Sequence, residues 1–313
     1  MINYPPCDSE IYGRLVWSHR VWAVAAVHGE AERLARLHNR LAERLALGDR
    51  RVYLGDYLGY GRHSAETLDE LLHFRRGVLA RRHAFLGDHV LLRGSQEEMW
   101  QKLLELQFAP NPGEVLGWML EHGVAQTLEA YGLEPRQGLA ACREGVLGIT
   151  RWTSALRSAI AARQGHRQLL TLLRRAAFTD DGALLFVNAG IDAGKPLDLQ
   201  GDAFWWGRTD ILTLDAPFAG FRRVIRGYDR RRAGFVEAAH AVSLDAGSDS
   251  DDGPAAVIDT LGAEEEALDG VVYRESLRPL LARLAPRERQ ILLLRFFKNM
   301  TQSQIADEIG ISQ

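Results

Sequence analysis

The sequence predicts an α/β protein: a mainly parallel sheet with helices packed on it, a helical insertion, and a short all-helical C-terminal appendage. Three observations carry this expectation. First, four short apolar runs each end in a glycine-containing polar cluster: VWAVAAVHGE (21–30), RVYLGDYLGYG (51–61), HVLLRGSQEE (89–98) and ALLFVNAGID (183–192). Buried parallel strands end in this way, and ligands in open α/β sheets sit beyond such ends. Second, helical spacing of leucines fills the gap after the first run. Third, the composition turns acidic and then strongly helical after Gly247.

Taken in order, residues 21–27 read as a strand, and 30–46 as an amphipathic helix with Leu34, Leu37, Leu41 and Leu45 on one face. A second strand at 51–56, a helix near 65–80 and a third strand at 89–94 repeat the unit, with the right-handed crossovers that parallel strands require. From Glu97 to about Arg175 the pattern is helical, broken at Pro110, Pro112 and Pro135. The strand 183–188 then resumes the sheet, and the four strands are expected side by side, ending on one face. FRRVIRGYDRRRAG (221–234) supplies another strand and an arginine-rich loop, and FVEAAHAVSLDAG (235–247) a strand pair. SDSDDGPAAVIDTLGAEEEALDG opens an acidic, aperiodic linker over 248–273. Residues 274–313 read as two or three short helices, with Pro279 and Pro286 where helices start or break, and Asn299 and Thr301 as a stop and the next N-cap.

Composition excludes several classes. With 313 residues, the chain suits one large domain plus an appendage. Its 46% apolar and 25% charged content is that of a globular protein. A net charge of −3 gives no global attraction to nucleic acid. Cys7 and Cys142 are too few for a disulfide framework or a thiolate metal site. No signal-peptide pattern opens the sequence and no apolar run is long enough to span a bilayer, so the expected compartment is the cytoplasm. Basic charge is nearly all arginine, with Lys102, Lys195 and Lys298 the only lysines. The histidines at 19, 63, 73, 83, 89 and 122 form no zinc-ligand spacing.

The four run ends, with a later Gly227-Tyr228, resemble the calcineurin-like metallophosphoesterases of the bacterial phosphoprotein-phosphatase branch, whose equivalents read GDxHG, GDxxxRG, GNHE, HAG and GH. Here they read Ala25-Ala26-Val27-His28-Gly29, Gly55-Asp56, Gly94-Ser95-Gln96-Glu97 and Asn188-Ala189-Gly190. The resemblance covers residues 20–247, so that 1–247 is expected to be the metallophosphoesterase-like domain. It implies a β-sandwich flanked by helices, with the insertion at about 97–175 as a helical cap; MLEHGVAQTLEAYG (119–132) resembles that cap segment.

By the same resemblance, one metal ion would use the positions of Ala26, His28 and Asp56, and a second Asp56, Ser95, Asn188 and Tyr228. Such chemistry needs a bridging carboxylate and two ions roughly 3.5–4 Å apart. His28 and Asp56 are retained. Ala26 has no donor atom, Ser95 replaces an amide oxygen, and Asn188 and Tyr228 replace imidazoles. Gln96 stands where the family's proton-donating histidine would be, and general acid–base help is worth about 10²–10⁴-fold. Tyr60 stands in place of a phosphate-gripping arginine, with Arg62 as a stand-in; Arg93 and Arg208 match other arginine positions, so the resemblance implies phosphate binding by Arg62, Arg93 and Arg208. The cofactor expectation is no tightly bound metal, or at most one weakly held divalent ion of manganese, iron or zinc. A simpler account has His28 packing at a turn and Asp56 capping a loop. It also makes the arginines at 222, 223, 226 and 230–232 a solvated rim, and Trp205 and Trp206 packing groups.

APRERQILLLRFF (285–297) and MTQSQIADEIGIS (300–312) resemble the fourth, −35-reading region of stress-type bacterial sigma factors, a helix-turn-helix. In this sequence the second, reading helix would begin at Gln313, so the tail is expected to be truncated and without specific DNA binding. The resemblances leave three functions open: a pseudophosphatase that binds a phosphorylated or anionic protein or small molecule; a weak metal-dependent phosphoesterase, a serine/threonine-phosphatase-like hydrolase; and a transcription-associated protein whose tail contacts RNA polymerase. No membrane partner is expected.

Overall fold

The computed structural model describes residues 11–16, 20–81, 84–231 and 234–245. The expected linker (248–273) and helical tail (274–313), the end of the domain at Gly247, and His19, His83 and Arg232 lie outside the described residues.

The chain opens with β1 (Tyr12–Leu15) and β2 (Val21–Val24), then α1 (Ala31–Arg44), β3 (Arg50–Tyr53), α2 (Ser64–Leu79) and β4 (His89–Leu91). A run of helices follows: α3 (Ser95–Leu104), α4 (Pro112–Met119), α5 (Ala125–Ala130), α6 (Pro135–Arg143), α7 (Val146–Ala162) and α8 (His166–Thr171). The chain returns to strands in β5 (Ala176–Thr179) and β6 (Leu184–Val187), passes a short α9 (Ala203–Trp206), and continues through β7 (Arg223–Arg226), β8 (Val236–Glu237) and β9 (Ala241–Ser243). Pro112 and Pro135 occupy the first turns of α4 and α6, where a missing N–H costs nothing.

The strands form two sheets. β2, β3 and β4 make a parallel three-stranded sheet, and the other six strands a mixed sheet in the order β1-β5-β6-β7-β9-β8. The expectation of four adjacent strands is therefore corrected. The run at 183–188 belongs to the second sheet, where β6 pairs with β5 antiparallel and with β7 in parallel. Strand alternation explains the stacking. Val52, Leu54, Val90, Leu92, Phe186, Ile225 and Val242 share one buried cluster between the sheets. Their neighbours Tyr53 and Leu91 face a separate cluster beneath α1, α2 and the helical insertion. Leu185, Val187 and Val224 face a third cluster with Phe204 and Trp205. The outcome is the expected α/β sandwich with its helical insertion.

Most of the arginine-rich segment fits the solvated-rim expectation, and Arg226 departs from it. Arg226 is buried and donates to Asp229 at 2.6 Å and to Ser243 Oγ at 3.0 Å, while Arg231 pairs with Asp210 at 3.1 Å. Carboxylates neutralise those two arginines. Arg222 and Arg230 are exposed. Of the tryptophan pair, Trp205 is core, and Trp206 is 38% exposed. Among the described residues no helix is long and apolar enough to cross a membrane.

Candidate functional site

The loops after β2, β3, β4 and β6 meet at one end of the sandwich. Asp56 O accepts from Val27 N (3.0 Å) and His28 N (2.7 Å), and Gly29 N donates to Tyr57 O at 2.9 Å. Gly227 O accepts from Ala26 N (3.0 Å), and Gly227 N and Tyr228 N both donate to Asn188 O at 2.9 Å. These bonds hold the first and second run ends together and join the Asn188 turn to Gly227-Tyr228. The packing leaves no room for side chains at the contact: a Cβ on Gly94 would lie 2.3 Å from Asp56 Oδ1, and Gly55 has φ +91°.

His28 (φ 50°), Asp56 (φ 53°) and Tyr60 (φ 45°) are three of the four non-glycine residues with positive φ among the described residues. Each costs on the order of 1–3 kcal/mol, and such outliers cluster where a structure is built for function. Here they cluster on adjoining turns.

At the centre is the fully buried carboxylate of Asp56. Its Oδ1 accepts from Ser95 Oγ (3.0 Å) and from Gln96 N (2.9 Å). Its Oδ2 accepts from Asn188 Nδ2 at 3.0 Å, and the same amide donates to Leu54 O at 2.7 Å. Asn188 Oδ1 in turn accepts from Ser95 N at 3.3 Å. Four of the sequence-predicted positions, Asp56, Ser95, Gln96 and Asn188, are thus brought into direct contact. A carboxylate has about four lone-pair positions, and neutral protein donors here occupy three of them.

A two-metal centre needs those lone pairs to bridge its ions. Ser95 and Asn188, at positions where the resemblance implies ligands, turn donors toward Asp56, and Ala26 offers no side-chain donor atom. Among the described residues there is no group of three or more histidine, cysteine, aspartate or glutamate side chains able to hold an ion. The residues present do not fit a dinuclear metal site.

Around this centre the substituted residues pack as aromatics and amides. The His28 ring meets Tyr60 edge-on at 5.3 Å and Tyr228 at 5.5 Å. Gln96 is buried; its Nε2 donates to His122 O at 2.9 Å, and its side chain fills the space beside Gly59 and Gly123. Trp118 stacks on His122 (4.3 Å) and meets Trp206 at 6.0 Å, forming a partly exposed aromatic rim. The arginines differ among themselves. Arg93 pairs with Glu98 at 3.2 Å, so that its charge is directed into the protein. Arg62 and Arg208 are exposed and, among the described residues, make no side-chain ion pair.

Sequence reasoning missed Glu97. Its buried carboxylate accepts from four backbone N–H groups: Tyr57 (2.8 Å) and Leu58 (3.1 Å) on one oxygen, Asp56 (2.9 Å) and Gly94 (2.9 Å) on the other. It ties the second run end to the third. The available signal was an acidic residue in the first turn of a helix, three positions after the Gly94 cap, where a side chain reaches back to the cap N–H.

Burial, followed by the nearby charge of Asp56, pushes the Glu97 carboxyl up from 4.5 to about 7, against the pull of the N–H donors. The folded protein therefore holds this proton more tightly than the unfolded chain. The stability from that proton is fully present below pH 4.5 and is lost as pH rises through 7. Urea unfolding between pH 5 and 8 should show a loss of up to about 3 kcal/mol, at 1.36 kcal/mol per pKa unit. Glu97→Gln should flatten that slope; an unchanged slope assigns it to another group.

Residues 280–313 match the family model described as Sigma-70, region 4. Over 74 residues the chain is 54% identical to the RNA polymerase sigma factor SigF of Mycobacterium tuberculosis (strain ATCC 25618 / H37Rv), covering 24% of this chain and 28% of that protein. It is 49% identical over 74 residues to the RNA polymerase sigma-F factor of Kitasatospora aureofaciens, covering 24% and 25%. The chain spans about a quarter of the length of these curated relatives. Among solved structures, it is similar to a protein serine/threonine phosphatase from Saccharomyces cerevisiae, with 13% identity, 72% of this chain and 67% of that chain covered, and a TM-score of 0.40. It is also similar to a mutant cold-active protein tyrosine phosphatase, with 12% identity, 77% and 76% covered, and a TM-score of 0.43.

Proposed function

We propose that residues 1–247 form a cytoplasmic pseudophosphatase, a phosphatase-like domain that binds a phosphorylated or anionic partner and does not turn it over. One observation carries this reading: the Asp56 carboxylate is engaged by Ser95, Gln96 N and Asn188. Donor protons stand where divalent cations would have to stand. No general acid replaces the imidazole at Gln96, because an amide does not release a proton near neutral pH. What remains is a set of exposed groups able to hold an anion: Arg62 and Arg208, two residues after Tyr60 and Trp206 in the chain.

The test is a pair of measurements on the full chain. With excess manganese, hydrolysis of a generic aryl phosphate should stay at the uncatalysed rate. A phosphoserine peptide should bind in a salt-sensitive manner, with affinity falling about tenfold in Arg62→Gln and in Arg208→Gln, since hydrogen bonds to charged groups contribute about 1.5–3 kcal/mol. Robust manganese-dependent turnover would overturn the reading in favour of a weak phosphoesterase with one rebuilt metal site at His28 and Asp56.

The Sigma-70 region 4 match favours a second role for the tail, contact with RNA polymerase. Arg287, Arg289 and Lys298 add positive charge to that segment. The full chain should be retained on immobilised RNA polymerase and a chain lacking 274–313 should not. Equal retention of both assigns the interaction elsewhere.

A further inference from the structure

We propose that Arg51, Arg75 and His89 form a second anion site, at the end of the three-stranded sheet away from Asp56, which takes a compact tetrahedral oxyanion such as inorganic phosphate. Arg51 and His89 lie opposite each other in the parallel pairing of β3 and β4. They share the face of Tyr53 and Leu91, beneath the helices. Both are almost wholly buried, at 4% and 5% exposure. Yet among the described residues Arg51 Nε and Nη2 and both ring nitrogens of His89 have no hydrogen-bond partner. Among the described residues the only bond from the Arg51 guanidinium runs from Nη1 to Asp49 O at 3.2 Å.

Charge balance around the site points the same way. The nearby carboxylates are engaged: Asp49 by Arg20 at 2.8 Å and by Trp22 Nε1 at 2.7 Å, and Asp88 by Arg50 at 3.0 Å. Glu70 accepts from His38 Nδ1 at 2.6 Å, and His38 Nε2 accepts the Tyr53 hydroxyl at 2.9 Å. Among the described residues neither Arg51 nor Arg75 forms an ion pair, and the nearby charges of Asp88 and Asp49 offset only part of the cost of burying Arg51. Burial lowers the pKa of both, and burial together with these two charges holds the His89 imidazole well below its ordinary 6.5. A buried guanidinium with unmet donors is among the more costly arrangements in a protein interior, and an oxyanion supplies both the opposite charge and the acceptors. Arg51 and His89 sit at the start of their strands, and the chain leading into His89 carries the exposed Leu86.

Thermal unfolding of the full chain in inorganic phosphate, at matched ionic strength against chloride, tests the site. Binding to the native state alone should raise Tm in a saturable way, by about 5–10 °C at a hundredfold excess over Kd. Arg51→Met should unfold at or above the wild-type Tm in chloride, because it removes an unpaired buried charge, and should lose the saturable phosphate response. Arg75→Gln, on the partly exposed flank of α2, should shift the phosphate midpoint about tenfold upward. It keeps the test decisive if Arg51→Met does not fold. Arg222→Gln, at an exposed arginine outside both anion sites, should respond as wild type does. A linear rise shared by all variants is the general effect of an excluded salt and overturns the proposal. So does a saturable response that survives Arg51→Met and Arg75→Gln, or one that disappears with Arg222→Gln.

Discussion

Glu97→Ala is expected to cost the full chain about 4 kcal/mol or more of unfolding free energy, most of the stability of a domain at the low end of the usual range. The variant strands four backbone N–H groups, those of Asp56, Tyr57, Leu58 and Gly94, in the protein interior. Each unmet buried donor costs about 1–3 kcal/mol, and a domain's whole stability is about 5–15 kcal/mol. Relief of the repulsion between Glu97 and Asp56 works in the opposite direction. It does not decide the sign, because the two strained turns at Asp56 and Tyr60 also lose their anchor. Glu97→Gln separates the contributions. Each Glu97 oxygen serves two donors, so an amide retains one pair and faces the other with its own N–H₂. Its loss should be about half that of the alanine variant. Urea unfolding followed by tryptophan fluorescence gives both values. A loss under about 1 kcal/mol for Glu97→Ala would mean that water reaches these amides and that the carboxylate does not organise the site.

Much of this arrangement was legible in the sequence. Each of the four apolar runs is short, β-branched or leucine-rich, and stopped by glycine, which are the local signals of a buried strand. Those runs placed Asp56, Ser95, Gln96 and Asn188 at strand ends. The amphipathic spacing of Leu34, Leu37 and Leu41 placed α1 to within a few residues. The strands β1 (YGRL) and β5 (AAFT) gave no such signal, because four residues with a glycine and an arginine, or two alanines, carry no readable alternation. They exist because they pair with each other in parallel across more than 150 residues of chain. The position of β6 in the second sheet was hidden for a related reason. Its sequence shows a buried strand, but which neighbours it takes depends on β5 and β7. The direction of the Asn188 amide was also out of reach. A residue that fails as a metal ligand on paper can still be idle, and only the placement of Nδ2 between Leu54 O and Asp56 Oδ2 shows it taking up a carboxylate oxygen as a donor.

That substitution of donors for cations makes the reverse experiment informative. The fivefold variant Ala26→Asp, Ser95→Asn, Gln96→His, Asn188→His and Tyr228→His is expected to bind manganese where the native sequence does not, and to gain metal-dependent hydrolysis of an aryl phosphate. Removing the Asn188 amide and the Ser95 hydroxyl frees two of the three hydrogen bonds on Asp56. The Gln96 N–H bond to Oδ1 remains, and one further acceptor position stays open for bridging. Imidazole and carboxylate are the ligands these ions prefer. A histidine at position 96 restores a proton donor worth about 10²–10⁴-fold in rate. The cost falls on packing, because Asn188 is fully buried and an imidazole is larger than its amide. Overpacking of that kind costs about 1–3 kcal/mol. Bound metal offsets it by mass action, so Tm should rise with added manganese in the variant and stay flat in the native sequence. Metal content after desalting gives a readout independent of turnover. A folded variant that binds no manganese would show that the backbone around Asp56 no longer has the geometry of a metal site, and that the hydrogen-bonded carboxylate is a structural end state of this loop.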